Sequence, residues 1–208
     1  MKFKTLLISA ISALIASVLV VGAQVPSINS TLNSVFTLTY DNSTMKPTYS
    51  ATGTGPVATN STDVCSLAGS ASKTIKVRRI ILSASATAVV TDPVAILKRS
   101  TANAASSGAS VMWQVPYDSS NSAGTSALAE FHSVAPQTLG TLVGMIADPY
   151  ITFSNYTTGI SNGPARLYYG EFGSPIVLRG VTQLVAVNHN ASAPAGAFLT
   201  CTFEWTEE

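Results

Sequence analysis

The chain has 208 residues, only 10% of them charged, with eleven Lys and Arg against ten Asp and Glu. That length suits one globular domain behind a short leader, and the charge balance argues against nucleic acid as a partner. Two histidines and two cysteines give no H-x-x-x-H or C-x-x-C spacing, so neither a zinc centre nor a cofactor is expected.

Residues 1–23 read as a helical signal peptide: Lys2 and Lys4 form a basic start, an apolar run diluted by serines follows, and Val21, Gly22 and Ala23 offer small residues to a peptidase. Cleavage after Ala23 is expected, the alternative being an uncleaved membrane anchor. Loss of the two leader lysines leaves nine basic residues against ten acidic ones. The mature protein is therefore expected to be exported (secreted, periplasmic or on a cell surface), touching membrane only through the leader.

Residues 24–72 are poor in charge and rich in Ser, Thr, Asn, Gly and Pro, and they read as an extended arm with one short strand, VFTLTY at 35–40. A β-domain is expected over 73–208. It opens with KTIKVRRIILSAS (73–85), where Ile75 and Val77 share one alternating phase and Ile80 and Leu82 the other. A phase slip across Arg78 and Arg79 implies a β-bulge. Further strands are expected at 94–99, 110–115, 127–134, 139–146, 150–153, 166–172 and 176–178, divided by turn-forming segments such as PYDSSNSAGTS (116–126).

The last stretch alternates most clearly. Ala197, Leu199, Cys201, Phe203 and Trp205 fall in one phase, and Phe198, Thr200, Thr202, Glu204 and Thr206 in the other, which makes a half-buried strand. With 183–188 before it and the turn-rich HNASAPAG (189–196) between, it reads as an antiparallel hairpin. About ten short strands and no convincing helix beyond the leader predict an all-β fold, an antiparallel two-sheet β-sandwich of jelly-roll type.

Cys65 and Cys201 are expected to form a disulfide on compartment grounds, contributing about 4 to 5 kcal/mol on the chain-entropy model. The alternative leaves Cys201 as a small buried residue. Such a bridge would pin the arm to the final strand.

Catalytic constellations are sparse. Ser110 misses the G-x-S-x-G elbow. His132 beside Glu130 reads as an ordinary surface histidine, and Asp118 with its neighbours as turn chemistry rather than a calcium site. The run Lys73, Lys76, Arg78, Arg79 reads as a charged sheet edge. Trp113, Tyr117, Tyr150, Tyr168 and Tyr169 are assigned mainly to the core; Trp113, Tyr117 and Tyr168 are the candidates for a ligand-facing aromatic group if exposed together, with glycans as the ligand class.

Several stretches occur together in order: LKRSTAN (97–103), VPYDSSN (115–121), TLGTLVG (138–144), SPIVLRG (174–180), then PAG and TFEWTEE (194–208). In this the chain resembles small uncharacterised proteins encoded among the structural genes of tailed bacteriophages and prophages. The resemblance implies a virion-associated β-sandwich of decoration or fibre type. It carries no catalytic residue. The expectation is thus a non-enzymatic structural or interaction protein that packs against itself or a shell lattice, the alternative being a secreted or cell-surface carbohydrate-binding or adhesion module.

The leader generates a first test. Intact-mass measurement on exported protein is expected to give a chain beginning at Gln24; retention of residues 1–23 would mean an anchor.

Overall fold

The structure, a computed structural model, describes residues 46–58, 62–104, 107–122, 126–136, 138–147, 150–155, 165–169, 174–189 and 192–208, the segment 165–169 by its backbone alone. The expected leader and the 35–40 strand lie outside these residues. Thirteen strands run in chain order. They are β1 (Thr48–Pro56), β2 (Thr62–Ala68), β3 (Thr74–Ala86), β4 (Val90–Arg99), β5 (Ala109–Val111), β6 (Trp113–Pro116) and β7 (Leu128–His132). There follow β8 (Leu142–Ala147), β9 (Tyr150–Asn155), β10 (Ala165–Tyr169), β11 (Ile176–Arg179), β12 (Leu184–His189) and β13 (Phe198–Glu207). The all-β expectation holds, with no helix among the described residues.

β13 lies between β1 and β3, antiparallel to both. Its inward phase, Leu199, Cys201, Phe203 and Trp205, is fully buried, as the alternation requires. The bulge expected at the two arginines is present: Glu204 sits opposite Arg79 and Trp205 opposite Val77, leaving Arg78 as the extra residue. That slip lets Val77 and Ile80 both enter the core.

Across the core from β13 lies β2, flanked by β7 and β12, with β4 beyond. A second bulge, at Val64, puts Val64 and Cys65 side by side in the core. Cys65 bonds Cys201, their α-carbons 6.6 Å apart.

Hydrogen bonding runs continuously through the strands in the order β5-β7-β2-β12-β4-β9-β3-β13-β1-β6, with β8 beside β4 and with β10 and β11 beside β3. β9 makes the link: it is antiparallel to the start of β4 and parallel to the end of β3. The sheet is therefore mixed and continuous, where two separate antiparallel sheets were expected. Its end strands, β5 and β6, are separated only by Met112, whose amide donates to Ala129 O at 2.9 Å. The ladder is thus almost closed on itself. Closure needs small residues in β1, because a Cβ on Gly55 would stand 2.5 Å from the Phe131 ring and one on Gly53 2.9 Å from Met112.

Three expectations need correction. Residues 48–56 and 62–68 are not arm: β1 and β2 are interior strands, disguised by Thr, Ser and Gly that pair on both edges. The segments 183–188 and 197–206 form no hairpin. β12 is buried on both faces and pairs with β2 and β4, whereas β13 pairs with β1 and β3. The basic run is no sheet edge either, since β3 is paired on both sides; Lys76 meets Glu208 at 2.6 Å and Arg79 meets Glu204 at 2.9 Å.

Because the bridge joins strands on opposite sides of the core and closes a separation of 136 residues, its loss removes about 5 kcal/mol on the chain-entropy model. Cys65→Ser is expected to lower the melting temperature of the whole domain in one transition. Unreduced, denatured wild-type protein is expected to show no reactive thiol. Two labelled thiols, or a two-step melt with residues 73–208 still folded, would contradict this architecture.

Candidate functional site

The outward phase of β5 and β6 forms a stripe. Val111, Trp113, Val115 and Tyr117 alternate to solvent, with Trp113 82% and Tyr117 59% exposed. At about 3.3 Å per residue the stripe is roughly 20 Å long. The assignment of Trp113 and Tyr117 to the core is therefore corrected: among the described residues β6 pairs with β1 alone, and both side chains are exposed. Tyr150, 69% exposed, departs from the same assignment.

Trp113 lies opposite Thr52, and hydroxyl ladders continue the face: Thr52 meets Thr202 at 2.8 Å and Thr54 meets Thr200 at 2.8 Å. At the other end the Tyr117 amide donates to Thr48 O. Its phenol is pushed up to about 12, first by partial burial and then by its hydrogen bond to the Glu204 carboxylate, with Arg79 and Ser50 acting oppositely. Arg79 in turn holds Glu204. One exposed aromatic is thus tethered through a carboxylate to a guanidinium, while Trp113 stands free in solvent. Asp118 closes the turn that follows, accepting from Ser120 N at 2.8 Å and Ser120 Oγ at 2.7 Å.

Tyr168 does not join this group. It sits in β10 opposite Ile80, separated from β6 by β3, β13 and β1. Of the three aromatic candidates, the structure brings Trp113 and Tyr117 together and leaves Tyr168 on the far side of the sheet.

A second polar assembly lies over β2, β12 and β4. Asp63, fully buried, accepts from Arg99 Nε at 2.7 Å and Arg99 Nη2 at 2.8 Å, from Asn188 at 2.7 Å and from Asn103 at 2.9 Å. Arg99 also donates to Gly140 O, and the Gly140 amide to Asn103 Oδ1. Gly140 has no room for a side chain, since a Cβ would lie 1.9 Å from Thr101 O. These bonds clamp the connections after β4 and β7 onto the sheet. Every polar atom of Asp63 is thereby used, which makes it a structural ion pair.

His132 is not the surface residue its sequence suggests, being 2% exposed. Its Nε2 lies 3.2 Å from Ser66 Oγ, and its Nδ1 has no hydrogen-bond partner among the described residues. A serine and a histidine in contact are the beginnings of a nucleophilic pair, and Ser66 is as buried as His132. His189, also buried, meets Asp92 at 3.1 Å and packs edge-on against Phe153. Among the described residues no group of three or more His, Cys, Asp or Glu could hold a metal ion.

Sequence reading missed the outward character of β8. Leu142, Val143, Met145 and Ile146 are all exposed on a strand that pairs only with β4 among the described residues. The uncharged run LVGMI was the available sign, but it reads equally well as core.

Comparison of the chain with protein-family models, with curated proteins and with solved structures finds no match.

Burial pushes the His132 imidazole below its ordinary value of 6.5, outweighing the nearby Glu130 and Asp63 charges. The unfolded chain then takes up the proton at higher pH than the folded one. Stability is full above about pH 6.5 and falls as pH drops through the histidine range. Denaturant titrations between about pH 7.5 and 5 are expected to show this loss, and His132→Gln to flatten it. An unchanged slope in the variant would remove His132 as its source.

Proposed function

We propose that this chain is a non-enzymatic structural or interaction protein: an exported, sandwich-like β-domain of jelly-roll type that serves as a subunit of a virion or surface lattice. The observation that carries the reading is the pair of uncharged apolar strand surfaces exposed among the described residues, one on β5–β6 and one on β8. A contiguous apolar surface on a soluble domain marks a contact. The disulfide across the core supports an oxidising compartment, and the resemblance of five sequence blocks to phage structural proteins supports the virion setting.

A second reading rests on a specific observation, the presence of Trp113 and Tyr117 on one face beside hydroxyl ladders. Aromatic faces stack on the apolar faces of sugar rings, and fixed hydroxyls and carboxylates bind their polar edges. On this reading the domain is a secreted or cell-surface carbohydrate-binding or adhesion module.

Density-gradient fractionation of material from the native source separates the two. The structural reading expects the protein to travel with assembled particles or an envelope lattice. Recovery only as free protein, together with retention on insoluble polysaccharide that Trp113→Ala abolishes, would overturn it in favour of the carbohydrate module.

A further inference from the structure

The edge of β3 that faces away from β13 meets three strands in turn: β11 at 74–77, β10 at 79–82 and β9 at 85–86. β10 approaches antiparallel and β9 parallel, and among the described residues neither pairs with Ser83 or Ala84. At this interruption of the ladder the sheet carries a hollow of about 240 Å³. Five hydroxyl side chains line it, from Thr54, Thr200, Ser83, Ser85 and Ser154, together with the ring of Phe198 and no charged residue. Register explains the grouping. Thr54 stands opposite Thr200 and Thr200 opposite Ser83, while Ser85 stands between Phe198 and Ser154, and residues paired across strands share a face.

These hydroxyls are only partly used by the protein. Thr54 and Thr200 share one bond between their Oγ1 atoms at 2.8 Å, and Ser154 Oγ donates to Ala84 O at 3.0 Å. Ser83 and Ser85 make no side-chain hydrogen bond among the described residues. Of five hydroxyl hydrogens the threonine pair uses one and Ser154 one, which leaves three to donate beside oxygens that also accept.

We propose that this hollow binds the ring of a neutral sugar, one hexose unit of a glycan. The inference deepens the carbohydrate reading above and rests on it, adding a site that the Trp113–Tyr117 stripe does not contain. The lining selects the ligand class. A charged ligand needs an opposite charge, and no charged side chain lines the hollow. An apolar ligand would strip water from Ser83 and Ser85 without replacing its hydrogen bonds. Sugar hydroxyls donate and accept as the lining does, and the C–H face of a sugar ring suits Phe198, which is 44% exposed. The volume lies below the roughly 300–1,000 Å³ of pockets for drug-sized ligands, which limits the occupant to about one ring. Along β1, Thr54 is two positions, roughly 7 Å, from Thr52, and Thr52 stands opposite Trp113. A glycan stacked on Trp113 therefore reaches the hollow across the Thr52 and Thr54 hydroxyls.

Titration of the isotope-labelled full-length chain with D-glucose, D-galactose and D-mannose, each taken to high millimolar concentration, tests this through amide chemical shifts. At least one of the three is expected to bind saturably, with the shifts centred on Ser83, Ser85 and Thr200. Phe198→Ala is expected to weaken that binding about tenfold by removing the stacking ring. Thr200→Val is expected to weaken it about threefold to tenfold by removing a hydroxyl at constant shape. Both side chains face outward, so the melting temperature is expected to be retained. Ser100→Ala, on the connection after β4, is the control and is expected to bind as the wild type does. Cyclohexanol, a six-membered ring with a single hydroxyl, is expected to bind at least tenfold more weakly than the hexose. No saturable shift with any hexose overturns the inference, and so does binding indifferent to both variants or matched by cyclohexanol. Hexose shifts centred on Trp113 and Tyr117 would also overturn it, yet leave the carbohydrate reading in place. Hexose bound in the hollow of a protein that no insoluble polysaccharide retains would keep this inference and remove the Trp113 stripe from the carbohydrate reading.

Discussion

The inward phase of β13 must be covered, and much of the architecture follows from that requirement. Leu199, Cys201, Phe203 and Trp205 present one continuous apolar face, too large for a hairpin partner to bury. Neighbours in the same sheet cannot cover a face; only strands on the opposite side of the core can. β2 and β12 do so with Val64, Leu67, Val185 and Val187, and the Cys65–Cys201 bond fixes the two sides at one point. The chain crosses between the sides repeatedly, so neighbours in sequence such as β12 and β13 are not neighbours in the sheet.

Closing that fold puts unusual demands on the strands at its margins. β1 approaches the Phe131 and Met112 end of the sheet closely enough to require Gly53 and Gly55. On the opposite flank Arg99 is buried with Asp63, an arrangement that loses about 3 to 5 kcal/mol if either partner is removed alone. The ion pair is tolerable because Asn103 and Asn188 complete the carboxylate's hydrogen bonds. It ties the connections after β4 and β7 to the sheet through Asn103 and Gly140.

The parts of this fold that were legible in the sequence are those in which side-chain period decides. The alternation of 197–206 and the slip at Arg78–Arg79 translate directly into β13 and the β3 bulge, because burial on one face enforces a period of two. β1 and β2 were not legible. TYSATGTGP has glycines that read as turn residues and are in fact close-approach sites, while TDVCSLA is buried on both faces and so shows no alternation. Of the candidate site, Trp113 and Tyr117 could be named by residue type. Their exposure depends on how the described strands pack, with β6 at the end of the strand order, which no local pattern encodes, and Tyr168 is set apart from them by strand order.

Charge placement separates the two uncovered strand surfaces. Charged groups on this domain are largely occupied: Asp63 with Arg99, Arg79 with Glu204, Lys46 and Lys76 with Glu208, Asp92 with His189, Glu207 with Ser126. Solvation therefore falls largely to hydroxyls such as the paired threonines of β1 and β13. The β6 stripe ends in the Tyr117–Glu204–Arg79 chain, so anything lying along it meets a directional polar group and can be discriminated by its hydroxyl or amide pattern. β8 carries no polar side chain that could play this part, so its side chains discriminate by shape alone. One surface is thus suited to recognising a chemically patterned ligand and the other to packing against a surface of matching contour.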